Sequence, residues 1–93
     1  MKVATPVVTP YIHMNGDRKE TLLENLEGAY SAVREAMNKL RECSPNGRNY
    51  YPEPGRMDKA VAQHRARQEH LQAVYESLEA EAIQIQDENP DPR

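Results

Sequence analysis

The sequence predicts an all-α fold: one long antiparallel helical hairpin with an extended N-terminal arm, assembled as a homo-oligomer. Three observations predict it. Apolar residues recur at alternating spacings of four and three along two long stretches, the pattern of helices with one covered face. A segment rich in Pro, Asn and Gly parts the two stretches. The hydrophobic fraction is 38% of 93 residues, with neither Phe nor Trp, which is lean for a chain this short to close a core alone.

The arm covers residues 1–16. Val3, Val7, Val8, Tyr11 and Ile12 favour extended backbone, and Pro6 and Pro10 confine the residues before them to it. Asn15-Gly16 ends the arm as a turn dipeptide. Asp17 with Glu20 three residues later has the spacing of a capping box, so helix 1 is expected over about 17–43. Along it Leu22, Leu26, Ala29, Val33, Ala36, Leu40 and Cys43 alternate spacings of four and three, and Leu23, Tyr30 and Met37 add a second column. Together these positions span roughly 160° of the helix, more than one partner helix covers. The column Leu22, Ala29, Ala36, Cys43 is mostly small and permits close helix approach.

Ser44-Pro45-Asn46-Gly47 stops helix 1, and the connection runs over 44–55. About a dozen residues is long for a helical hairpin, where roughly 2–8 is usual. Helix 2 is expected over about 56–86, with Met57, Val61, His64, Gln68, Leu71, Tyr75, Leu78, Ala82 and Ile85 on its seam. His64 and Gln68 are polar where the pattern asks for apolar groups, and the hairpin places them near Ala29, Val33 and Ala36. They form either a register-setting polar layer or part of a site. The tail 87–93 is acidic, proline-broken and expected to fray.

Composition narrows the function classes. Cys43 is the lone cysteine, so no intrachain disulfide forms, and no Cys/His cluster has zinc spacing; neither metal nor cofactor is expected. The N-terminus has no long apolar run, so neither a signal peptide nor a membrane span is expected, and the cytoplasm is the default location. The net charge is −3, unevenly spread. Residues 54–70 carry Arg56, Lys59, Arg65 and Arg67 against Asp58 and Glu69, whereas 76–93 carry six carboxylates against Arg93. An acidic protein with so few basic contacts is a poor binder of duplex nucleic acid.

Three groups are candidates for binding. Arg48, Asn49, Tyr50 and Tyr51 join a cation, an amide and two rings that suit phosphate and nucleobase, although the tyrosines equally suit packing over the hairpin end. Arg56, Lys59, Gln63, Arg67 and His70 fall on one helical flank, either a solvated charged face or a cradle for phosphates. His13, Asn15 and Gly16 precede helix 1, whose free N–H groups attract anions, or else form a simple structural turn. The first and last groups lie at opposite ends of one hairpin, so a shared site needs a second chain. No nucleophile motif or metalloprotease spacing is present, and an enzyme is not expected.

His13-Met14-Asn15-Gly16-Asp17 before a helix, and Asn46-Gly47-Arg48-Asn49-Tyr50-Tyr51 between two helices, resemble the motifs of a group of small uncharacterised proteins of tailed phages and prophages. There the first motif usually reads His-x-Asn-Gly-Thr-Ser and the second Asn-Gly-Arg-Asp-Tyr-Tyr; here Asp17-Arg18 and Asn49 depart from them. The resemblance spans most of 11–85 and implies a phage origin. In size and hairpin architecture the chain is also similar to phage sponges that sequester nucleotide immune signals. The expected function is therefore a non-enzymatic counter-defence protein of the host cytoplasm, binding a cyclic oligonucleotide or ADP-ribose derivative at subunit interfaces. The alternative is a protein-interaction module, either a virion accessory component or an inhibitor docking on a host protein.

Overall fold

The computed structural model describes residues 7–91, among which there are two α-helices, two short 3-10 turns and no strand. Residues 1–6 and 92–93, including Val3 and Pro6 of the expected arm, lie outside the described residues.

Helix α1 spans Lys19–Leu40. It begins later than the Asp17–Glu20 spacing predicts: Arg18 holds the cap position in extended backbone and no side chain caps the helix. A tertiary tether replaces the capping box. The Lys19 ammonium donates to the Asn89 carbonyl at 2.8 Å and pairs with the Asp91 carboxylate. At its far end α1 tightens into a 3-10 turn over Arg41–Cys43. Ser44 is then extended (φ −57°, ψ 133°), as the residue before Pro45 prefers to be.

Helix α2 spans Pro54–Glu88, 35 residues, outrunning the expected 56–86 at both ends. Proline in the first turn lacks only an N–H that the helix could not pair anyway, and Glu53 ahead of it is extended. Of the tail expected to fray over 87–93, residues 87–89 are ordered, and 92–93 lie outside the described residues. Asp87 and Glu88 are helical, and both the backbone and side-chain amides of Asn89 donate to the Ile85 carbonyl, at 3.0 and 2.9 Å. Lys19 brings a cation to this helix C-terminus, where the carbonyls carry partial negative charge.

The helices run antiparallel. Lys19 meets Asn89, the Tyr30 and Tyr75 rings stand edge to face with centroids 5.6 Å apart, and Ser44 Oγ lies 3.2 Å from His64 Nε2. Because Ser44, just past the 3-10 turn that follows α1, meets His64, residues 54–63 of α2 project past that point by about 15 Å. The connecting loop must return along that overhang. This register corrects the expected placement of His64 and Gln68 beside Ala29, Val33 and Ala36. His64 faces the loop at Ser44, and Gln68 lies by Met37, Leu40 and Arg41. The expectation treated the two helices as ending level; the overhang slides α2 along α1.

The covered interior is small. Ile85 is the one fully buried apolar side chain among the described residues, and α1 buries none. Leu23, Leu26, Tyr30, Val33, Met37 and Leu40 of α1 are half-buried, while Ala29, Ala36 and Cys43 of the small column stand in solvent. The molecule measures 64 × 23 × 22 Å, with a radius of gyration of 18.7 Å against about 12 Å for a compact chain of this length. No helix among the described residues is long and apolar enough to cross a membrane.

Candidate functional site

The inter-helix loop is folded rather than slack. Asn46 is extended and its side-chain oxygen accepts the Arg48 N–H at 3.0 Å, starting a 3-10 turn over Gly47–Asn49. The Asn49 and Tyr50 N–H groups donate to Asn46 and Gly47 carbonyls, at 2.9 and 3.0 Å, and Glu53 N–H donates to the Tyr50 carbonyl at 3.1 Å. On this turn Arg48 and Asn49 are exposed, Tyr50 is half-buried and Tyr51 is 79% exposed.

On the adjoining overhang of α2 Arg56 and Lys59 are exposed, and so is Arg67 just beyond it. Arg56 is already engaged: its Nε donates to Glu53 Oε2 at 2.8 Å and a terminal nitrogen to Oε1 at 3.3 Å. A phosphate approaching Arg56 would compete with this forked carboxylate. Glu53 was absent from the sequence-derived site, although its spacing of three from Arg56 was visible.

His13 and Asn15 are brought together at the other end. The Asn15 N–H donates to His13 Nδ1 at 3.3 Å, and the Gly16 N–H to the His13 carbonyl at 3.2 Å. The imidazole lies over Gly16 so closely that an added Cβ would sit 2.9 Å from its Nε2, so a larger residue there would displace the exposed ring. His13 lines an open groove of about 490 Å³ with Gly16, Lys19, Asn89 and Asp91. The cation there, Lys19, is spent on Asn89 and Asp91. The two halves of the expected site are therefore separated by the whole of α1, roughly 33 Å.

Sequence reasoning missed a further surface. Arg34, Arg41, Gln72 and Tyr75 line shallow grooves between the helices, with the Arg34 guanidinium 5.1 Å from the Tyr75 ring centroid. These side chains come from both helices, so only the register reveals their meeting. His64 is 9% exposed and its Nδ1 has no protein partner among the described residues. Those residues contain no His/Cys/Asp/Glu cluster able to hold a metal ion. Comparison with protein-family models, with curated proteins and with solved structures finds no match to this chain.

Proposed function

We propose that this chain is a non-enzymatic, self-associating hairpin that binds a small nucleotide at the junctions between copies. In this reading it acts as a phage counter-defence protein of the host cytoplasm, holding a cyclic oligonucleotide or ADP-ribose derivative. The observation that carries the reading is the Arg48–Tyr51 turn. The N–H groups of Arg48, Asn49 and Tyr50 are bonded within the turn, which supports a loop backbone shaped before any ligand arrives, with a cation and an exposed aromatic ring on it. Tyr51 stacks on a base, Arg48 pairs with phosphate, and Lys59 and Arg67 add positive charge from the same end. His13 and Asn15 reach the ligand from a neighbouring copy. The phage context comes from the resemblance of the His13–Asp17 and Asn46–Tyr51 motifs.

Titration calorimetry of the wild-type chain against cyclic dinucleotides and ADP-ribose derivatives tests this. We expect saturable binding to at least one ligand, with Tyr51→Ala and Arg48→Ala each weakening it by about 1–3 kcal/mol. Flat heats across the panel remove the nucleotide reading.

A second reading, a module that docks on another protein, is favoured by the arm. Val8, Tyr11 and Met14 are 88%, 92% and 97% exposed, large apolar side chains that the nucleotide reading leaves unassigned. Pull-down from host lysate with and without Tyr11→Ser separates it from the first.

A further inference from the structure

We infer that copies of this chain pair antiparallel, across the face that carries Ala29 and Ala36 of α1, so that the Arg48–Tyr51 turn of each copy lies beside the His13–Asn15 turn of the other. This rests on the self-association proposed above and gives it a direction.

Three observations lead here. The first is the face itself. The α1 seam at Tyr30 and Met37 meets the α2 seam at Tyr75, and about 100° per residue then puts Ala29, Ala36 and Cys43 roughly a quarter-turn from the seam. All three are exposed. On α2, Arg56, Lys59, Arg67, Val74, Glu81 and Glu88 recur at helical spacing, and the same projection brings this stripe to the same side of the hairpin. One side of the molecule therefore combines a small, close-approach column with a charged stripe.

The second observation is the order of charge in that stripe. Its cations, Arg56, Lys59 and Arg67, sit toward the loop end, and its carboxylates, Glu81 and Glu88, toward the open end. A parallel pair would set cations against cations and carboxylates against carboxylates. An antiparallel pair sets each basic end against the other copy's acidic end, which is the complementary arrangement.

The third is area. The chain exposes 7467 Å² at 10.6 kDa, roughly 2,000 Å² more than a compact protein of that mass. A stable dimer buries about 800 Å² per partner, so one such face is affordable within the surplus. The consequence for function is geometric. Antiparallel pairing brings together the two half-sites that a single chain holds roughly 33 Å apart, and it does so twice per dimer.

Cross-linking by mild oxidation tests the orientation. With the two-fold axis near Ala32 and Val33, Cys43 of one copy lies beside Leu22 of the other, while the two Cys43 thiols stand roughly 30 Å apart, beyond reach of a disulfide. We expect Leu22→Cys, which keeps Cys43, to form a covalent dimer, and both wild type and the L22C/C43S double variant to stay uncrosslinked. Self-cross-linking of wild type and of L22C/C43S would mean parallel pairing and would overturn the inference. A solution dimer in which none of the three cross-links would overturn it too, since the Ala29–Ala36 face would not be the interface, yet would leave self-association standing. Light scattering of untreated wild type reads that broader proposal separately. Raised salt gives a variant-free check: pairing should weaken at least several-fold between low and high ionic strength, and indifference to salt would contradict the charge interlock.

Discussion

Glu88 is the residue at which the arm, α2 and solution pH meet. Its carboxylate accepts from the Thr9 hydroxyl at 2.7 Å and from the Gln84 amide at 3.1 Å. These two bonds, Thr9 first, hold the carboxyl below its ordinary pKa. A carboxyl that ionises more readily folded than unfolded adds stability above its ordinary pKa, and that contribution is lost as pH falls through the lowered value. The arm at Thr9 should therefore stay docked at neutral pH and release in acid below the usual glutamate range. Following the Thr9 methyl resonance through an acid titration checks this, with Glu88→Gln as control. A Thr9 signal that ignores pH, or one that shifts equally in the control, would contradict the tether. At this scale the local contacts were legible in the sequence. Asn46 capping Arg48 and Glu53 pairing with Arg56 are near neighbours whose residue types announce the contact. Lys19 with Asn89 and Ser44 with His64 were not legible, because nothing local couples positions that far apart.

The two helices illustrate the same division between local and long-range information. Their existence follows from apolar spacing, while the covered face of α1 is narrower than that spacing predicts and leaves Ala29, Ala36 and Cys43 in solvent; Pro54 in the first turn of α2 was a start signal available to sequence reading. The Asp17–Glu20 spacing did not set the start of α1, since Arg18 holds the cap position with no side chain capping the helix; Lys19 is tied instead to Asn89 and Asp91 across the hairpin. The overhang of α2 escaped notice for a related reason: loop length bounds the register but does not choose it. It has a dynamic consequence. Residues 54–63 lack α1 as a partner, whereas α2 beyond His64 packs against it. Amide exchange should be fastest along 54–63, slow sharply near His64 and be slowest around Ile85. Mass-spectrometric exchange on the intact chain reads this gradient, and uniform protection along α2 would show that the overhang is covered in solution.

For the whole molecule, the issue is how an elongated hairpin with one buried apolar side chain among its described residues remains folded. The residues proposed for the site, Arg48, Asn49, Tyr50, Tyr51, Arg56, Lys59 and Arg67 at one end and His13 with Asn15 at the other, were named from sequence, and so was their separation by the length of a hairpin. What the fold adds is the carboxylate of Glu53 on Arg56. A two-helix layer leaves Ala29, Ala36 and Cys43 in solvent, and a chain of this size ordinarily needs a staple beyond its own core. In the proposed reading, a further copy of the chain supplies that staple. Static light scattering on the purified wild-type chain, across a wide concentration range, bears on this most directly. The account predicts a molar mass of at least twice 10.6 kDa, persisting on dilution to low micromolar concentration. A folded, helical species that keeps the single-chain mass at every concentration would contradict it.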